Sequence, residues 1–165
     1  MPGQTPFQTV GPYLRIGLRA GLGPMTRAGG GGTPVVVTGR LLDGAGQGIP
    51  DGLLEFWAPG FAMAGRVCTE GDGSYRLETV VPEGYEDGGA AHAPHFAVRV
   101  MGRGILTQYI TRMYLDGHPA NAHDPVLQQV PAGRRATLMA RVAAGAGYHF
   151  DVVVQGQDET VFFDL

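Results

Sequence analysis

A chain of 165 residues, 44% hydrophobic and 16% charged, suits one domain around a single core. A net charge of −3 and a pI near 5.9, with no basic stretch, argue against nucleic-acid binding; no apolar run nears the ~20 residues that span a bilayer. Cys68 is the one cysteine and no charged-then-apolar leader is visible, so the expected compartment is a reducing cytoplasm, without disulfides and without membrane contact.

Residues 1–34 read as an extended arm. "TPFQTVGPY" carries two prolines and a glycine, and "RAGGGGTP" is a flexible connection. Apolar runs of strand length then follow at Val35–Leu42, Gly52–Trp57, Gly65–Thr69, Ser74–Val80, His95–Met101, Tyr109–Leu115, Tyr148–Val154 and Thr160–Asp164. "DGAGQGIPD" and "EGDGS" between them read as turns. One helix is signalled, with Asp124 as its N-cap, Pro125 at its first position and Pro131 limiting its length. "AGRRATLMARV" after it reads equally as a turn or a strand. The expectation is an all-β, antiparallel β-sandwich over 35–165, with an N-terminal extended arm and a short helix.

No complete catalytic constellation is present. Ser74, the only serine, sits in a turn without a G-x-S-x-G elbow, and "AGGGGTP" lacks the lysine and helix of a phosphate loop. Of five histidines, His118 and His123 flank a loop, and His149 lies between Tyr148 and Phe150, where packing explains it. His92 and His95 form an H-x-x-H pair, two ligands where a metal site needs three or four. A metal site on a strand would use His-x-His, because alternate side chains share a face; "HAPHFAVRV" instead has Ala97 two residues after His95. Arg103 stands between two glycines after that strand, placed either as a solvated turn residue or as an anion contact.

Several stretches together are similar to the intradiol ring-cleavage dioxygenases: "TPFQTVGPYLRIGL", "VTGRLLDGAGQGIPDGLLEFW", "DGSYRLETVVP", "APHFAVRVMGRGI", "TRMYLDG", "RRATLMAR" and "GQDETVFFDL". The similarity runs from Thr5 to Leu165. It implies a β-sandwich core, and a chemistry in which a catechol chelates a non-haem Fe(III) held by two tyrosines and two histidines, reacts with O2 and opens between its hydroxylated carbons. Within that family the chain resembles the subunit that has lost its iron. His95 matches the first histidine of the ligand pair and Ala97 replaces the second. Tyr85, three residues after Pro82, matches one tyrosine, and the segment that would carry the other has shrunk to "APGFAMA".

The resemblance therefore implies no metal and no catalytic residue in this chain alone. It implies instead a homologous iron-binding beta subunit, whose pocket for a small aromatic acid would be lined by Gly11, Pro12, Tyr13 and Arg103 of this chain, with residues 1–34 docking on that partner. Material is missing between Arg27 and Val35 and between Trp57 and Gly65 relative to such subunits. Two other readings compete with it: a stand-alone β-sandwich module for binding or scaffolding, and an independent metalloenzyme using Tyr85, His92 and His95.

Overall fold

The computed structural model describes residues 3–18, 23–25, 31–145 and 147–164. Its strands are β1 Pro34–Leu42, β2 Leu53–Ala58, β3 Met63–Cys68, β4 Ser74–Val80, β5 Tyr85–Asp87, β6 Ala90–His92, β7 His95–Met101, β8 Tyr109–Leu115, β9 Met139–Ala143, β10 Gly147–His149 and β11 Val152–Val153. In one layer β1 pairs with β4 antiparallel and with β10 and β11 parallel. In the other, β3, β2, β7 and β8 run antiparallel in that order. β9 crosses between them, pairing Met139 and Ala140 with β8 and residues 141–143 with β10. The fold is all-β as expected, with three short parallel ladders among the antiparallel ones.

Period-two alternation decides which side chains meet between the layers. Val35, Val37 and Leu41 of β1 and Tyr75 and Leu77 of β4 face Leu54 and Phe56 of β2 and Phe96, Val98 and Val100 of β7, all buried. Phe56 is central: its ring lies edge-on to Phe96 at 6.0 Å and tilted against Tyr75 at 5.9 Å. The opposite face of β7, carrying His95, Ala97 and Arg99, looks outward from the sandwich and is the face that bears on function.

Four expectations need correction. The run Tyr148–Val154 is not one strand, because Asp151 interrupts it. Its carboxylate, not a backbone carbonyl, accepts Arg40 N–H at 2.7 Å, while the Phe150 carbonyl turns inward to accept the Tyr75 hydroxyl at 2.5 Å. Gly39 makes room for that carbonyl; a Cβ there would lie 1.8 Å from Phe150 O. Thr160–Asp164 is extended without being a strand, since its backbone bonds scatter to Val153, Ile110, Thr111 and Thr137. Asp124 does cap, accepting Val126 and Leu127 N–H at 3.0 and 2.8 Å, but Pro131 leaves room only for a 3-10 turn, Leu127–Gln129. The one α-helix among the described residues, α1 Tyr13–Leu18, lies in the arm instead. Residues 132–142, open between two readings, hold both: a 3-10 helix, Ala132–Leu138, then β9.

Candidate active-site region

The outward face of β7 builds a small aromatic pocket at its N-terminal end. His95 pairs with Tyr114 across β7 and β8, their rings 5.2 Å apart. The β5–β6 hairpin folds over them, stacking Tyr85 on His92 at 4.7 Å and bringing Tyr85 to 5.8 Å from His95. The structure thus gathers Tyr85, His92 and His95 as the sequence suggested. Ala97, next along the face, lies opposite Arg112 on β8 and Trp57 on β2.

Burial drives the His95 pKa down to about 4, the Arg112 guanidinium adds to the effect, and the ring is neutral at pH 7. Its Nδ1 lies 2.8 Å from the Ala93 carbonyl, so Nδ1 carries the proton; buried Nε2 has no hydrogen-bond partner among the described residues. His92 is otherwise engaged, its Nδ1 3.4 Å from Arg112 Nη1 and 3.6 Å from Asp124 Oδ2. Asp124 is fully buried and accepts the Tyr114 hydroxyl and Ala93 N–H, both at 2.9 Å. Burial alone would raise its pKa, but bonds from Leu127 and Ala93 N–H and from Tyr114, with the Arg112 charge, hold it below the usual carboxylate range. The sequence singles out Asp124 only as a helix cap and does not single out Arg112 or Tyr114; alternation along β8 from Tyr114 to Arg112 is the signal that places those two on this face.

A second group forms at the other end of β7. Gly11 and Pro12 open α1, their carbonyls accepting Leu14 and Ile16 N–H at 3.1 and 3.4 Å, and Tyr13 projects 81% exposed. Thr9, just before them, fastens the Gly102-Arg103-Gly104 turn: its hydroxyl accepts Gly104 N–H at 2.8 Å and lies 3.3 Å from the Gly102 carbonyl. Arg15 of α1 reaches Asp51 at 3.3 Å and Glu70 at 3.2 Å, and Arg103 reaches the other oxygen of Asp51 at 3.1 Å. The structure therefore brings Gly11, Pro12, Tyr13 and Arg103 to one place. It does not bring them to Tyr85 and His95: at ~3.3 Å per strand residue, the length of β7 separates His95 from the second group by about 20 Å, with Ala97 part-way between.

Between them the outward sheet face is a groove of about 900 Å³, floored by Trp57, Ala97 and Ile110 and flanked by Arg66 and Arg99. Glu55 lies 3.5 Å from one guanidinium and 3.7 Å from the other.

No protein-family model matches the sequence. The protocatechuate 3,4-dioxygenase alpha chain of Burkholderia cepacia is 42% identical over 195 aligned positions, covering 98% of this chain and 98% of that one. This chain belongs to the protocatechuate 3,4-dioxygenase alpha-chain family. The beta chain of the Burkholderia cepacia enzyme is 31% identical to this alpha-family chain, covering 78% of it and 67% of the beta chain. Among solved structures, the dioxygenase domain of a dioxygenase carbohydrate-binding protein fusion from Streptomyces sp. SirexAA-E is 26% identical with a TM-score of 0.60, covering 94% of this chain and 97% of that one. The alpha-chain alignment spans 195 positions against 165 residues here, so at least 30 positions of the relative have no counterpart, in keeping with the shortened segments. Among the described residues no helix is long and apolar enough to cross a membrane.

Proposed function

We propose that this chain is the alpha subunit of a two-subunit dioxygenase that cleaves protocatechuate with O2 to 3-carboxy-cis,cis-muconate, in the cytoplasm, with Fe(III) held by a homologous beta subunit. In that chemistry the catechol would chelate the partner's ferric ion, which would make the ring reactive to oxygen, and both oxygen atoms would enter the product. The observation that carries the reading is the separation along β7. A chain working at its own metal would place its anion-binding arginine and its arm beside the His95 pocket; here both lie about 20 Å away, at the opposite end of β7.

The donor set in this chain does not fit a ferric ion. Tyr85 and His95 supply two donors of the four the family uses, Ala97 offers a methyl group, and the guanidinium of Arg112, 3.4 Å from His92 Nδ1, puts a fixed positive charge in the same pocket. The arm has the character of a docking segment. Phe7, Tyr13 and Ile16 are 70%, 81% and 65% exposed, apolar surface that a partner would cover. Gly11, Pro12 and Tyr13 then line the partner's pocket, and Arg103 meets the carboxylate of the aromatic acid, a role guanidinium geometry suits.

The test is to purify this chain alone and together with its homologous beta subunit. Iron content, visible tyrosinate-to-iron absorption and oxygen uptake with protocatechuate are then measured. The pair should carry iron and consume oxygen; the single chain should do neither. Stoichiometric ferric ion and turnover in the single chain would overturn the reading in favour of an independent metalloenzyme. A stable monomer that never associates with the beta subunit would favour the stand-alone module.

A further inference from the structure

Asp51 lies in the left-handed region, which residues other than glycine, asparagine and aspartate rarely adopt. It sits at φ +60° in the turn Ile49-Pro50-Asp51-Gly52, where glycine is the residue without steric cost. The turn does not need the Asp51 side chain to hold its shape. Buried Thr69 closes it, its hydroxyl accepting Gly52 N–H and donating to the Ile49 carbonyl, both at 2.8 Å. A carboxylate that the turn does not use points to a use elsewhere.

That use is visible in its contacts. One carboxylate oxygen takes Arg15 of the arm helix and the other takes Arg103 of the Gly-Arg-Gly turn. We propose that Asp51 is a positioning residue for substrate: by sharing its carboxylate between the arm and Arg103, it sets the direction in which Arg103 meets the ring carboxylate. Arg103 is half exposed on a turn flanked by glycines, so untethered it would spread over many rotamers. Asp51 engages only Nη2, which leaves the rest of a five-donor fork for a second carboxylate. This inference rests on the proposed role of Arg103 and adds to it a residue 52 positions earlier in the chain.

The test uses the assembled alpha–beta enzyme carrying Asp51→Asn, Asp51→Gly or Arg103→Ala, assayed with protocatechuate and with catechol, which lacks the ring carboxylate. Asparagine keeps the backbone preference and removes the charge; glycine relieves the positive φ and removes the side chain. Both Asp51 variants should raise KM for protocatechuate about three- to fivefold, the worth of one partly exposed ion pair, with kcat within about twofold and KM for catechol unchanged. Arg103→Ala should raise KM for protocatechuate about tenfold. If Arg103→Ala raises it and neither Asp51 variant does, Asp51 does not position Arg103 and the inference fails while the reading of Arg103 stands. An equal rise with catechol would show that Asp51 acts on the assembly and not on the carboxylate, which also overturns it. If Arg103→Ala changes nothing, both fall together.

Discussion

Replacing His95 by leucine should flatten the acid limb of this protein's stability curve. In the fold the imidazole titrates near 4, whereas in the unfolded chain it titrates near 6.5. Above pH 6.5 both states hold it neutral, and it adds no pH dependence. As pH falls from 6.5 towards 4 the unfolded chain takes up the proton and the folded chain resists, so stability declines by up to about 1.4 kcal/mol per pH unit. Over that window the loss comes to about 3 kcal/mol, a large part of what a small domain has. Below pH 4 the folded ring protonates as well and the decline from this residue stops. Asp124 acts in a different window: its folded pKa lies below 3.8, so its contribution is complete above that value and is lost only under stronger acid. Urea denaturation of the original chain and of His95→Leu at pH 7.5, 6.5, 5.5 and 4.5 separates the two. His95→Leu should start lower at pH 7.5, by about 1 kcal/mol, because the Ala93 carbonyl loses its partner. Its midpoint should then fall less steeply, and the two curves should converge or cross. Parallel curves between pH 6.5 and 4.5 would refute the argument.

Two further outcomes test the packing that carries the site. Gly39→Ala should fail to give a folded domain at 37 °C, because its Cβ would fall on the Phe150 carbonyl and within 2.8 Å of the Tyr75 hydroxyl; circular dichroism of the purified variant is the measure. Phe56→Ala should lower stability by about 3–5 kcal/mol, since the ring is fully buried between Phe96 and Tyr75, and the urea midpoint should shift accordingly.

The strands that built the core were legible because their apolar residues alternate cleanly; Ser74–Val80, His95–Met101 and Tyr109–Leu115 have the expected limits. The C-terminal segments were not, because side-chain acceptors stand in for the ladder. Asp151 takes an amide that a strand neighbour would take, and Thr111 and Thr137 bond to Val161 from different elements. The arm helix escaped notice since six residues after Gly-Pro show little periodicity. For the site, Tyr85, His95 and Ala97 could be read from resemblance and alternation. Asp51 could not: "IPDG" announces a turn, but nothing local says that its carboxylate meets arginines 36 residues before it and 52 after.

Met25 gives the arm a fixed root. Its N–H bonds to the Glu78 carbonyl at 2.7 Å, and its side chain, 1% exposed, lies on Gly65 so closely that a Cβ there would come within 2.7 Å. Identical segments can be traded between copies of a chain in an oligomer. An empty seat would leave the thioether in water, at about 1.5–3 kcal/mol, and a hollow over β3; after a trade, an identical methionine from the other copy would refill it. Position 25 is therefore a point that any exchange of arms must reproduce, so the segment meets β3 and β4 the same way whichever copy supplies it.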